Sequence, residues 1–198
     1  MSQSLQSILI VEDNDSLRRL LSMIFEGGGF RVCSAPDGIE ALAELRRGIP
    51  KVLLTDLEMP RMSGFELLSV VRRRFPTLPL IAMSGAYSGC TLPPGVAADA
   101  FYEKGNASVD PLIEMVDTLA KRGVPHPGSG RYPVWISSES MDQSNIFVSC
   151  PECMRPFSHA PTQSSRRTNE ASCPHCKARF ECALYPYAIG RPVDFVTA

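Results

Sequence analysis

Short apolar runs alternate with amphipathic stretches through the first 120 residues. Residues 7–11 carry the branched apolar run Ile8 to Val11 and stop at Glu12-Asp13, the pattern of a buried strand. Leu17, Leu20, Leu21 and Ile24 then fall at i, i+3, i+4 and i+7, one stripe of a helix that Gly27-Gly28-Gly29 ends. The alternation repeats. Residues 30–34 predict a second strand, and Asp37-Gly38 precedes a helix carrying Ala41, Leu42 and Leu45. Residues 51–55 predict a third strand with Asp56 at its C-terminal end. Met59-Pro60 turns the chain, and Ser63 and Glu66 have capping-box spacing ahead of a helix striped by Phe65, Leu68 and Val71. Residues 80–83 predict a fourth strand ending in Ser84-Gly85, and residues 100–103 a fifth ending at Lys104. Asp110-Pro111 opens a last helix with Leu112, Ile113, Val116 and Leu119 on its stripe. Pro93-Pro94-Gly95 leaves the helix expected between strands four and five short or absent. Strands and helices alternating over short connections predict an α/β fold, a doubly wound five-stranded parallel sheet covered on both faces.

The pattern changes after residue 120. Residues 121–145 are rich in glycine, proline and serine, which predicts a flexible linker, with Val134-Trp135-Ile136 as an apolar island that packs on a neighbouring domain. Residues 146–198 hold a second, small domain with a C-terminal tail. Cys150-Pro151-Glu152-Cys153 and Cys173-Pro174-His175-Cys176 stand 19 residues apart, the spacing of a Cys₄ zinc site. Each pair runs on to an aromatic residue, Phe157 or Phe180, so two similar knuckles would close one tetrahedral Zn²⁺. The arrangement resembles a zinc ribbon. A segment this small has little core, so the metal would supply much of its folding energy, and a closed four-ligand set is structural rather than catalytic. His159 and His175 are then surface residues and Cys182 a buried thiol.

Charge excludes some functions. The net charge is −1, but residues 1–120 carry 11 Lys/Arg against 15 Asp/Glu, whereas residues 146–198 carry 6 against 4. Neither balance is that of a dedicated nucleic-acid binder. Residues 75–98 are free of charge but broken by prolines and glycines, so no membrane span is expected, and no secretory signal is visible at the start. Seven cysteines, four of them in paired knuckles, fit metal binding in a reducing cytoplasm better than a disulfide framework.

In a doubly wound sheet the strand ends share one edge, which gathers Glu12, Asp13, Asp56, Ser84 and Lys104. Crowded carboxylates need a cation, and oxygen-only ligation is Mg²⁺ chemistry. A lysine and a hydroxyl beside them suit a phosphoryl group. With Ile8-Leu9-Ile10-Val11-Glu12-Asp13-Asn14, Ala35-Pro36-Asp37-Gly38, Asp56 followed by Met59-Pro60, Met62 and Gly64, Met83-Ser84-Gly85, and Phe101-Tyr102-Glu103-Lys104, residues 7–120 resemble a receiver domain of the two-component response-regulator family.

That resemblance implies that Asp56 accepts a phosphoryl group from a sensor histidine kinase or phosphotransfer protein. Glu12, Asp13, Asp56 and the Glu58 carbonyl would hold Mg²⁺. Ser84 and Lys104 would contact the phosphoryl oxygens, with Ser84 and Phe101 as the switch pair and Tyr102 in the core. Gly105 stands where the family has proline, which implies a looser loop. The expected protein is therefore a cytoplasmic response regulator, not an enzyme in the usual sense, whose ribbon docks a downstream protein. Two other readings stay open: a transcription regulator gripping nucleic acid through Arg166-Arg167, Lys177 and Arg179, and a thiol redox sensor.

Overall fold

The computed structural model describes residues 6–86, 95–105, 107–122, 133–136, 141–142, 145–160, 168–184, 187–188 and 191–192. Five strands, β1 (Ser7–Val11), β2 (Arg31–Ala35), β3 (Val52–Asp56), β4 (Leu80–Ser84) and β5 (Ala100–Glu103), form a parallel sheet in the order β2-β1-β3-β4-β5. Four helices accompany it: α1 (Asp15–Gly27), α2 (Gly38–Arg47), α3 (Gly64–Arg74) and α4 (Asp110–Arg122). This is the doubly wound α/β fold that the alternation predicts.

Each helix starts where its sequence says it should. Asn14 Oδ1 accepts from the Leu17 N–H, Asp37 Oδ1 from the Glu40 N–H, and Ser63 and Glu66 close a capping box. Strands β1, β3 and β4 bury both faces, whereas only Ala35 of the edge strand β2 is buried. Ile8, Ile10, Val52, Leu54, Ile81 and Met83 face a core completed by Leu21 and Phe25 of α1 and by Leu112 and Val116 of α4. Leu9, Val11, Leu53 and Ala82 face the opposite core with Leu42 and Leu45 of α2 and Leu68 and Val71 of α3. Period-two alternation inside continuous apolar runs marks a parallel sheet covered by helices on both faces.

No helix lies between β4 and β5 among the described residues. The heart of the Pro93-Pro94 stretch lies outside them; residues 95–99 return as turn and extended chain. This return is pinned to the end of α3. The buried guanidinium of Arg72 donates to the carbonyls of Pro76, Leu78 and Ala97 and to Asp99 Oδ2 at 2.6 Å, and Asp99 Oδ2 also accepts from the Leu80 N–H.

The C-terminal segment forms small sheets: β6 (Val134–Ile136) with β10 (Thr168–Ser172) and β11 (Arg179–Leu184), β7 (Met141–Asp142) with β8 (Asn145–Ser149) and β9 (Pro156–His159), and β12 (Tyr187–Ala188) with β13 (Arg191–Pro192). Val134-Trp135-Ile136, which composition places in a linker, is thus a strand, parallel to β11 and paired with Cys182, Ala183 and Leu184. It also docks on α3. The Trp135 N–H donates to Ser69 Oγ at 3.0 Å, and the indole Nε1–H donates to the Gly95 carbonyl at 3.0 Å.

One apolar cluster therefore runs from the sheet through α3 into the cysteine module, taking in Val134, Ile136, Ile146, Val148, Met154 and Phe180. Helix α3 is buried all round from Gly64 to Arg72, not only along its Phe65, Leu68 and Val71 stripe. Leu67 and Val70, off that stripe, are the sequence signal that apolar positions on this helix extend beyond a single face.

Candidate phosphoacceptor site and cysteine cluster

The sheet order reverses direction beside β1, and the crevice at the C-terminal ends of β1 and β3 is where such folds place ligands. Asp56 ends β3 and is buried, and Glu12 follows β1 and is 1% exposed. Asp13 beside it is exposed. Carboxylate oxygens of Glu12, Asp13 and Asp56 lie within 4.8 Å of one another. Lys104, at the end of β5, reaches back so that Nζ stands 2.6 Å from Asp56 Oδ2 and 2.8 Å from Glu12 Oε2.

One ammonium among three carboxylates leaves the site short of positive charge. Burial pushes the Glu12 carboxyl above its usual range and Asp56 adds to this, while Lys104 only partly offsets the rise. For Lys104, burial pulls the ammonium down, but the hydrogen bonds to Asp56 and Glu12 prevail and hold it above its usual value. A buried acid kept reluctant to ionise, beside two more carboxylates, is a donor set that a hard divalent cation would complete, and the oxygen-only ligands fit Mg²⁺.

Of the remaining sequence-predicted residues, Ser84 and Glu58 also reach this edge. Ser84 ends β4, fully buried, and its hydroxyl donates to Glu58 Oε2 at 3.2 Å and accepts from the Ala86 N–H at 3.0 Å. The Glu58 N–H donates to Asp56 Oδ1 at 3.2 Å. Phe101 is buried on β5 in the α2–α3 core, while Tyr102 faces the other core and donates its hydroxyl to the Ser108 carbonyl. Gly105 follows Lys104 with φ +95°, a conformation that L side chains avoid. Gly64 is required for another reason. A Cβ there would collide with the Asp56 carbonyl and lie 2.8 Å from Leu57 Cα, so α3 starts in direct contact with the end of β3.

The four knuckle cysteines also meet. Sγ atoms of Cys150 and Cys176 are 3.6 Å apart, those of Cys153 and Cys173 are 3.6 Å apart, and all four lie within 4.8 Å. A tetrahedron with metal–sulfur bonds of about 2.3 Å has edges of about 3.8 Å, so the set fits a four-thiolate metal site; a disulfide needs ~2.05 Å. The two knuckles have the same backbone. Met154 (φ 54°) and Lys177 (φ 65°) occupy equivalent left-handed positions, and their N–H groups donate to the carbonyls of Cys150 and Cys173. Phe157 and Phe180, also equivalent, meet edge to face at 6.2 Å.

The thiols are not alike. Burial pushes Cys150 far up, whereas the N–H groups of Cys176 and His175 outweigh burial at Cys173 and bring it down to about 7. His175 is exposed and His159 half-buried, and neither joins the cluster; Cys182 is buried in β11.

Sequence reasoning missed the residues joining the two sites. Met62, in the loop leading from Asp56 to α3, accepts a hydrogen bond at Sδ from Ser149 Oγ at 3.8 Å, and Ser149 precedes Cys150. Arg46 of α2 donates to the Met154 carbonyl at 2.5 Å. Arg61, in the left-handed region (φ 67°), pairs with the buried Asp37. Single residues such as these carry no sequence pattern that could announce such distant partners.

The fold and the acid–lysine–serine edge define a receiver, and comparison with known proteins agrees. The model of the response regulator receiver domain matches residues 8–100, and the chain belongs to that family. Relatives include a 14.6 kDa protein of Leptolyngbya boryana, 39% identical over 107 residues that cover 53% of this chain and 81% of the relative. The DNA-binding transcriptional regulator NtrC of Salmonella typhimurium is 33% identical over 122 residues, 60% of this chain but only 25% of NtrC. Among solved structures, the response regulator TrrA of Thermotoga maritima in complex with Mg²⁺–BeF superposes with a TM-score of 0.54 at 30% identity, covering 58% of this chain and 99% of TrrA. TrrA has also been solved with the histidine kinase ThkA. The family model ends at residue 100, before the cysteine module, and these relatives and structures cover at most 60% of the chain.

Proposed function

We propose that this chain is a two-component response regulator, phosphorylated on Asp56 by a sensor histidine kinase or phosphotransfer protein, with the cysteine module as its zinc-bound output or docking element. The carrying observation is Lys104 Nζ at 2.6 Å from Asp56 Oδ2, beside the carboxylates of Glu12 and Asp13. An Asp56 oxygen attacks the phosphorus of a phosphohistidine, the P–N bond breaks, and the electron pair leaves with the imidazole. Lys104 moves its charge from Asp56 to a phosphoryl oxygen, and Ser84 donates to another. Glu12, Asp13, Asp56 and the Glu58 carbonyl would hold Mg²⁺, which when bound would supply charge neutralisation for the transferring group. The TrrA structures, with Mg²⁺–BeF and with a histidine kinase, support this reading.

Incubating the full chain with a small-molecule phosphodonor and Mg²⁺ should add one base-labile phosphate. Uptake by Asp56→Asn at the wild-type rate would overturn the assignment.

Residues 1–120 act as the receiver and 146–198 as the cysteine module, with 121–145 connecting them and lending β6 to the module's sheet. Cys150, Cys153, Cys173 and Cys176 hold one Zn²⁺ per chain, which metal analysis of protein purified without chelator would verify. Unbridged thiols and a kinase-borne phosphoryl donor suit the cytoplasm. Arg166-Arg167 lies outside the described residues, and residues 146–198 as a whole carry only 6 Lys/Arg against 4 Asp/Glu, too small an excess for a nucleic-acid grip, so a protein partner is favoured. The module rests on α2 and α3 in the unphosphorylated chain, and phosphorylation loosens that contact.

A further inference from the structure

Ser84 has one hydroxyl hydrogen, and Glu58 takes it. The Ser84 hydroxyl donates to Glu58 Oε2 at 3.2 Å while accepting from the Ala86 N–H. Glu58 is held in reach because its own N–H donates to Asp56 Oδ1. A hydroxyl has one donor hydrogen, so Ser84 can donate to a single strong acceptor at a time. Contact with a phosphoryl oxygen on Asp56 needs the hydrogen that Glu58 now holds.

We infer that the Glu58 side chain is a positioning residue, a latch that keeps Ser84 in its unphosphorylated arrangement and competes with the phosphoryl group for it. This rests on the proposed roles of Asp56 and Ser84. A carboxylate so near Asp56 also repels an incoming anion, an effect of the same sign that the test must separate from the latch. Glutamine supplies that separation, because it keeps an acceptor oxygen of the same reach and drops the charge, whereas alanine drops both.

The probe is beryllofluoride with Mg²⁺, titrated into the full chain and followed by the fluorine resonance of the bound species. Relative to wild type, Glu58→Gln should bind it more tightly, through lost repulsion and through a weaker, neutral hydrogen bond from Ser84. Glu58→Ala should bind about fivefold more tightly again, the usual worth of one neutral hydrogen bond. In a Ser84→Ala background the Gln and Ala variants should bind alike, since the competition needs the hydroxyl. Equal affinity of the two variants with Ser84 present would overturn the latch, as would a difference that survives Ser84→Ala. A wild-type chain that stays folded yet binds no beryllofluoride would overturn the phosphoacceptor reading itself, and the latch with it.

Discussion

Glu12 shows how a single residue trades stability for function. Its folded pKa is raised, so protonated Glu12 binds its proton more tightly in the folded chain than in the unfolded one. The stabilisation is therefore present below the ordinary glutamate range and is lost as pH rises through the folded value. At neutral pH without Mg²⁺, Glu12→Gln should raise stability, and it should weaken Mg²⁺ binding. Urea denaturation in chelator and a Mg²⁺ titration check the two halves separately. Gly64 makes the opposite case. Gly64→Ala drives a Cβ into rigid backbone, and a loss of about 2–3 kcal/mol with poor phosphorylation is expected. Gly38→Ala meets only the flexible side chain of Met62 and should cost clearly less in the same denaturation experiment.

Helix α3 is the element on which the molecule turns. Its N-terminus touches Asp56, its inner face covers the sheet, and its outer face carries β6. Ser69 joins the last two, accepting from the Trp135 N–H and donating to the Glu66 carbonyl at 2.7 Å. Ser69→Ala removes the hydroxyl that accepts from the Trp135 N–H, at about 1–3 kcal/mol. The strand should then detach rather than the receiver unfold, and a red shift of Trp135 emission at unchanged helical circular dichroism would show it.

Taken whole, the receiver and the cysteine module share a core. Composition alone predicts two weakly coupled domains, whereas the apolar cluster is continuous across α3. If the four cysteines hold the proposed zinc, its removal with a selective chelator should disorder the module, expose Val70, and lower the receiver's melting temperature by several degrees. A receiver transition unmoved by chelation, measured by calorimetry with Mg²⁺ retained, would show the shared cluster to contribute nothing to its stability.

The sequence by itself determined what local patterns encode. Apolar runs, capping residues and glycine stops define the α/β alternation; Asp56, Ser84 and Lys104 each close a strand, so a parallel sheet must bring them to one edge. The cysteine spacing likewise defines paired knuckles, because each Cys-Pro-x-Cys turn is a short-range structure. What only the tertiary structure decided is where the module rests and which partner each shared proton finds. Ser69, Met62 and Arg46 meet residues more than 60 positions away. The hydrogen bond from Ser84 to Glu58 spans 26 positions and two strand ends. Val134-Trp135-Ile136 is too short for periodicity to distinguish strand from loop, and its pairing with β11 and its seat on α3 exist only once both are folded.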